Sequence, residues 1–509
     1  MSTPNYLIDT NIFIGLEDPK EVSANLAALL KLTGRHNVGV FVHEAAVDDI
    51  ERDKDVARRK ISRSKLDKFQ RIAKVRGLKK ETLAASFGPL PKPNDLVDAT
   101  LLHSLDIGVA DFLVTEDRGL HERARRHASH LVERILYAAD AVSLLKSTYE
   151  PVNVPLRYVE EVEAHSISPT DPIFESLRDG YPGFDTWWRE KCVKPMRKCW
   201  VVVDDGPELA GLVVRKDETQ EDTDARLPGR KILKICTFKV RPEKRGVKLG
   251  ELLLKQVMWF AQSNQYDLVY LTTYREQATL IDLLQYYGFV ISYEKPDGEL
   301  VLEKMMSSKP LQPDGDRTPF EAARENYPRF RVDDSVSAYT IPIRAAFHDI
   351  LFPDLAQQRQ IDLFSPSMPR RAGNTIRKVY LCRAPALIKD PGAVLIFYKG
   401  KSDEQPSQAV TAVGIFEDMT LASSAEELRR LAGGRSVYSD AQLRSFAASS
   451  THPVKVINFL LASYLEPAVK LPNLMSIGAF SGHPPQSIAR LAPSKLRAVL
   501  KSGHLGFVS

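Results

Sequence analysis

The sequence predicts an α/β protein of several domains, and three observations predict it. The chain has 509 residues, more than one core holds, and at about 100–200 residues per domain it divides into roughly three. Over its first third, apolar strand-like runs alternate with helix-spaced segments, the pattern of a parallel sheet with crossover helices. Further on, a strand, a glycine-bearing basic turn and an amphipathic helix give way to β-rich runs separated by Gly/Pro turns.

Composition narrows the class. With 43% hydrophobic and 27% charged residues the chain is of ordinary globular type, without the bias of a disordered one. A net charge of +5 is mild for this length, so any nucleic-acid footprint is local. The 4 cysteines, Cys192, Cys199, Cys236 and Cys382, form no CxxC or Cys/His ligand spacing, which argues against zinc and for reduced thiols. The start lacks a basic-then-apolar signal segment, and no run of about 18 apolar residues could span a membrane. A cytoplasmic location is the expectation.

The first strand, Tyr6-Leu7-Ile8, runs into Asp9, Thr10 and Asn11 before an apolar helix begins. A carboxylate and an amide thus stand at the open end of a buried strand, where α/β folds gather ligands. Val22 to Leu32 has helical spacing, and Val38 to Val42 reads as a second buried strand. It leads into the acidic helix start His43 to Ile50, where the helix dipole favours acids. A basic helix is expected over Asp55 to Lys80. Ile61, Leu66, Phe69, Ile72 and Ala73 fall on one side, and Arg58, Arg59, Arg63, Lys65, Lys68 and Arg71 crowd the rest. A solvated helix face usually mixes both signs, so this near-single sign points to phosphate contact. A Pro-rich break over residues 88–93 precedes a helix from Asn94 with an Asn or Asp cap, and then a strand ends in Thr115-Glu116-Asp117.

This order resembles the PIN-domain ribonuclease family: Asp-x-Asn after strand one, an acid on the next helix, an Asp opening a later helix, and Thr/Ser-x-Asp after the following strand. The resemblance implies Asp9, Asp49, Asp98 and Asp117 as catalytic acids, with Asp9, Asp98 and Asp117 holding Mg or Mn and Asn11 and Thr115 orienting them from behind. The family usually carries Glu at the second position. Here Asp49 gives the best register, with Asp48 and Glu44 as competitors, and Asp95 competes with Asp98. The chemistry needs such residues because clustered carboxylates repel and stay ionised together only around a divalent cation.

After a linker at Tyr149 to Pro155, strands at Cys199 to Val203 and Leu209 to Val214 are spaced as a hairpin, and Trp187 and Trp188 read as core. The strand Ile232 to Val240 then meets a basic turn through Arg245 and Gly246 and a helix from Leu249. Such a turn aims backbone N–H groups and a helix N-terminus at an anion. With the strand from Leu268 and the Gly288-Phe289 that follow, this looks like a GNAT-superfamily acetyltransferase. The resemblance implies acetyl-CoA bound by Phe238, Val240, Arg245, Gly246, Lys248, Leu249 and Gly250. Lys248 replaces the first of the family's paired glycines. Leu284 replaces a Tyr that protonates the leaving thiol, with Tyr286 and Tyr287 nearby as substitutes.

A polar, turn-rich stretch at Ser307 to Asp316 marks a boundary. The runs Lys378 to Cys382, Ala393 to Tyr398 and Ala409 to Phe416 suggest a small barrel, followed by an acidic helix from Ser424 and a last helix expected over Ser487 to Leu500. The pattern is similar to PUA-like domains of the ASCH and EVE type, which implies binding of RNA or modified nucleotides. The expected organisation is a PIN-like parallel-sheet α/β domain at 1–148, a GNAT-like α+β domain at 149–306 and a PUA-like β-barrel at 325–509. The expected function is metal-dependent endoribonuclease action on structured RNA, joined to an acetyltransferase acting on a nucleic-acid, aminoacyl or protein amine. The competing expectations are an acetyltransferase with non-catalytic RNA docks, and a regulatory binding protein without catalysis.

Overall fold

The computed structural model describes residues 4–15, 24–45, 50–51, 59, 63, 69–73, 78–149, 159–203, 208–241, 248–306, 311–315, 317–355, 375–433, 438 and 440–505. The protein is a mixed α/β multidomain chain with one wholly parallel and two mixed sheets. Packing groups Met1–Pro155 with Leu421–Val456 in one compact unit, and Leu156–Pro242, Lys248–Thr420 and Ile457–Ser509 in another.

The first unit is built on a 5-stranded sheet of order β3-β2-β1-β4-β5. The strands are β1 (Asn5–Ile8), β2 (Gly39–His43), β3 (Gln70–Ile72), β4 (Phe112–Val114) and β5 (Ile135–Leu136), and every pair is parallel. The central strands read as continuous apolar runs because both faces are covered. Tyr6, Ile8, Phe112 and Val114 pack with Leu26 and Leu29 of the helix Ala24–Arg35 and Leu145 of the helix Ala138–Tyr149. Leu7 and Leu113 face the other way, onto Val97 and Leu101 of the helix Pro93–Asp106 and Leu120 and Ala124 of the helix Arg118–His127.

Two expectations change in this unit. The helix expected over Asp55 to Lys80 is interrupted, because Gln70–Ile72 is β3 and a separate helix covers Lys80–Phe87. Ile72 pairs with His43 along the open side of β2 and is buried, and that pairing outweighs the helical spacing of the apolar residues. The helix expected to open on an Asn or Asp cap starts at Pro93, with Lys92 at the cap position. Asp95 instead accepts the Lys92 backbone N–H at 2.7 Å.

The late segment completes this unit. Its helix Ala425–Ala432 starts on Ser424, whose hydroxyl accepts the Glu427 N–H at 3.0 Å, and packs on the 3-10 turn Ser129–Arg134. Gly433 has φ 51° and lies so close to this turn that a Cβ would stand 2.6 Å from the Glu133 carbonyl oxygen. Arg134 ties the same region to the start of β4, donating to the carbonyls of Leu105, Ala110 and Asp111 at 2.7, 2.8 and 3.0 Å.

The second unit holds a 7-stranded sheet of order β11-β12-β10-β9-β8-β7-β6. Its strands are β6 (Glu160–Glu163), β7 (Lys198–Val203), β8 (Leu209–Glu218), β9 (Ile232–Val240), β10 (Leu268–Thr273), β11 (Val290–Glu294) and β12 (Leu300–Met305). Neighbours are antiparallel except β9 and β10, which are parallel and joined through the helix Leu249–Ser263. Trp188 is buried and Trp187 packs partly buried beside it, as expected of core residues. All four cysteines are free thiols.

A 6-stranded sheet follows, of order β14-β17-β16-β15-β13-β18, built from β13 (Ala338–Ile343), β14 (Arg377–Cys382), β15 (Val394–Lys399), β16 (Ala409–Ala422), β17 (Val454–Lys470) and β18 (Ala489–Leu491). Among the described residues it is open, with β14 and β18 at its two edges, so the expected closed barrel is not formed. At one edge β18 spans only 3 residues and is followed at once by the helix Pro493–Ser502, which leaves little edge for closure. That strand and this later start also correct the helix expected over Ser487 to Leu500.

A buried ion pair binds the helix Leu249–Ser263 to the elements around this sheet. Lys255 is 0% exposed, and its Nζ donates to Asp354 at 2.9 Å. The Tyr464 hydroxyl donates to the same carboxylate oxygen at 2.9 Å, and the Trp259 indole N–H reaches the Tyr327 hydroxyl at 2.7 Å. Lys255→Met leaves a buried carboxylate without its cation and is expected to destabilise this unit by about 3–5 kcal/mol, whereas adding Asp354→Leu should restore most of it. Urea unfolding of the full chain checks this; an unchanged midpoint in the single variant would exclude a structural role for the pair.

Candidate functional site

The carboxylate corner lies where the order of the parallel sheet reverses. From β1 the chain goes to β2 and β3 on one side, then to β4 and β5 on the other, so the ends of β1 and β4 adjoin. Asp9 follows β1, and Thr115 to Asp117 follow β4. One Asp9 carboxylate oxygen accepts the Thr10 N–H at 2.6 Å, and the other accepts the Thr115 hydroxyl at 2.6 Å and the Asn11 amide at 2.7 Å. The Thr115 hydroxyl in turn accepts the Asp117 N–H at 3.0 Å, and the Asn11 carbonyl accepts the Glu116 N–H at 3.1 Å. Asn11 and Thr115 therefore hold the two strand ends in register. Asp117 caps the next helix by accepting the Gly119 N–H at 2.7 Å.

Asp98 comes to this corner from the helix Pro93–Asp106. Burial, then the charges of Asp117 and Asp9, push its carboxyl up to about 7, and Arg123 opposes them. Arg123 is anchored by the carbonyls of Phe87 and Pro89 at 3.1 and 2.9 Å and by Asp95 at 2.5 Å, and its Nε stands 4.0 Å from Asp98. Asp95 is thus engaged in capping and in this ion pair. His121 supports the corner from below: it is buried, stacks on Tyr137 at 4.0 Å and bonds the Thr115 carbonyl at 3.1 Å. Burial pushes it down to about 4, so it is neutral at physiological pH.

The fit to a metal is incomplete. Oxygen donors of this kind suit a hard divalent cation, but among the described residues no three His, Cys, Asp or Glu side chains form a group that could hold one. The expectation of Mg or Mn is therefore not supported. Asp49 and its competitor Asp48 lie outside the described residues, and the Glu44 backbone N–H bonds Ile72, continuing the β2–β3 ladder. Of the expected phosphate-binding residues, Arg58, Lys65 and Lys68 also lie outside them. Arg63 and Arg59 turn back onto Glu51, at its carboxylate (2.8 Å) and its carbonyl (3.3 Å), and Arg71 is exposed on β3 rather than on a helix.

The pairing of β9 with β10 ends before either strand does. Their ladder joins Ile232–Ile235 to Leu268–Leu271 and stops there, although β9 continues to Val240 and β10 to Thr273. Beyond that point β9 still pairs with β8, and its other edge, carrying the backbone of Phe238 and Val240, does not pair with β10. Arg245 and Gly246 lie outside the described residues. Lys248 has φ 56° at the cap of the 15-residue helix Leu249–Ser263. The Leu249 side chain is buried at 2%, and a Cβ on Gly250 would stand 3.3 Å from Leu283, so this glycine sits at a close packing with the next helix, Ala278–Tyr286. Tyr287 is buried at 1% with its hydroxyl unpartnered and its pKa pushed well above the usual phenol value by burial, which makes it a poor proton donor. Tyr286 is half-buried, with the Arg324 and Arg377 guanidinium groups 4.2 and 5.5 Å from its ring centre.

Sequence reading missed His121, Arg123, Arg324 and Arg377, since single His and Arg residues carry no motif. No family model matches the chain, and no curated protein matches it. Among solved structures it is similar to an ASCH protein from Zymomonas mobilis, at 16% identity over 32% of this chain and 94% of that one, with a TM-score of 0.24. It is also similar to a GNAT family acetyltransferase from Elizabethkingia anophelis with acetyl-CoA bound (17% identity, 30% and 98% covered, TM-score 0.22) and to an IAA acetyltransferase from Bacillus cereus (16% identity, 29% and 99% covered, TM-score 0.22). Likenesses this weak carry no argument about activity, and the geometry has to. Among the described residues no helix is long and apolar enough to cross a membrane.

The raised Asp98 pKa has a stability consequence. Folding favours the protonated acid, so the contribution is complete below the ordinary carboxylate value of about 4 and is lost as pH rises through about 7. Asp98→Asn is expected to raise the urea midpoint at pH 8 and leave it unchanged at pH 4. An equal effect at both pH values would show that Asp98 is not held protonated.

Proposed function

We propose that the chain is an N-acyltransferase that takes its acyl group from acetyl-CoA, with the GNAT-like region at 149–306 as its catalytic part. The observation that carries this reading is the early end of the β9–β10 pairing beside a helix N-terminus. An extended, amide-bearing pantetheine arm has the hydrogen-bonding needs of an added strand, and the free edge of β9 offers it backbone partners. A diphosphate suits the unsatisfied N–H groups and positive dipole end of the helix from Leu249, and Lys248 adds a cation there. In the reaction the acceptor amine attacks the thioester carbonyl carbon, the C–S bond breaks, the amine loses a proton and the thiolate gains one. Acceptors consistent with the reading are aminoacyl, protein or nucleic-acid amines. Calorimetric titration with acetyl-CoA tests it: binding is expected, and Lys248→Glu is expected to weaken it about tenfold, ~1.4 kcal/mol. No heat from the wild-type chain would sink the reading.

A second activity is favoured by one observation, the linking of Asp9, Thr115 and Asp117 by hydrogen bonds at a reversal of strand order. In this reading residues 1–148 are a PIN-like phosphodiesterase acting on RNA, and residues 325–509 are a PUA-like, ASCH/EVE-type module that binds it. Labelled structured RNA incubated with the chain and Mn²⁺ should be cut, and Asp9→Asn should slow cutting at least a hundredfold. Equal cutting by the two proteins would assign the nuclease to a contaminant.

A further inference from the structure

Three groups of side chains stand apart from the chemistry above. His348, Thr411, Asp349 and Lys399 form a hydrogen-bonded chain, but Thr411 is 1%, His348 0% and Lys399 0% exposed, and only Asp349 reaches solvent. Cys192, Cys199 and Cys236 share a core, with the first two thiols pushed up to about 12 by burial. The third group lies at the first turn of the helix Leu249–Ser263, and it carries an inference.

Arg377, the first residue of β14, donates its backbone N–H to Glu251 in that turn at 2.7 Å. Its guanidinium pairs with Glu417 at 3.2 Å and lies 5.5 Å from the centre of the Tyr286 ring. Arg324, from the helix Pro319–Asn326, lies 4.2 Å from the same ring, and its Nε is buried without a hydrogen-bond acceptor. The Tyr287 hydroxyl, electrostatically coupled to Glu251, Tyr286 and Arg377, is also buried and unpartnered. Lys378, the next residue along β14, is buried and donates to the Leu351 carbonyl at 2.8 Å. Two arginines from outside the GNAT-like region thus stand beside the first turn of this helix, where planar guanidinium groups suit phosphate oxygens.

The geometry points to Arg377 and Arg324 as a phosphate-binding point that takes the 3′-phosphate of acetyl-CoA, so that residues beyond 306 complete the cofactor site. This rests on the acyltransferase reading and extends it from the diphosphate to the nucleotide end. The bland alternative is that the two arginines only join Tyr286 to β14.

Titration of the full chain with acetyl-CoA and with 3′-dephospho-acetyl-CoA separates the two. The wild type is expected to bind acetyl-CoA at least tenfold more tightly, and Arg377→Gln, which keeps the backbone contact to Glu251, should reduce that preference to twofold or less. Arg377→Lys should keep part of it. If Arg377→Gln melts early, Arg324→Gln is read instead. Equal binding of both ligands by the wild type, or a full preference in both folded Gln variants, overturns the inference and leaves the acyltransferase reading standing. If neither ligand binds the wild type, the reading itself falls and the inference with it.

Discussion

A lysine ammonium and an aspartate, removed from water and bonded to each other, decide how the second unit is put together. Lys255 and Asp354 come from segments 99 residues apart in sequence, and Tyr464 closes on the same carboxylate oxygen from β17. Either charge alone would be strongly disfavoured in this interior, so the helix Leu249–Ser263 and the elements around the 6-stranded sheet are held in one arrangement. Burial and the Lys255 charge also press Lys378 down to about 7, which shows how little further positive charge this interior accepts. The first turn of the helix is thereby fixed in relation to β14, whose Arg377 N–H donates to Glu251.

The carboxylate corner is organised by the opposite problem. Here the charges have the same sign, and the fold answers with a fully engaged Asp9, a helix-capping Asp117 and an Asp98 held towards its neutral form. Arg123 relieves part of the repulsion, but carbonyl oxygens and Asp95 keep it in place.

Much of the framework was legible in the sequence because it follows from local pattern. The apolar run at β1, the strand from Ile232 to Val240 and the helix that follows Lys248 all appear as expected. Asp9, Asn11, Asp98, Thr115 and Asp117 were named by resemblance to a family pattern; hydrogen bonds join Asp9, Asn11, Thr115 and Asp117, and Asp98 is near enough to feel the charges of Asp9 and Asp117. What was illegible depends on partners distant in sequence. Gln70–Ile72 is a strand because β2 had an open edge. Among the described residues the last sheet is open, and its edge strand β18 pairs with β13 from a segment far along the chain, which no local signal announces. Arg324 and Arg377 meet at Tyr286 from segments far apart in the chain.

The helix Ala425–Ala432 and Gly433, seated on the turn before β5, have a consequence for biosynthesis. The first unit takes in Leu421–Val456, so its parallel sheet waits for a segment made only after the whole of Leu156–Pro242 and Lys248–Thr420. On the ribosome the parallel sheet would emerge long before the segment that covers its Glu133 end. Folding of the first unit is then incomplete until that segment has been made, and in the interval the uncovered surface is open to chaperones and to aggregation.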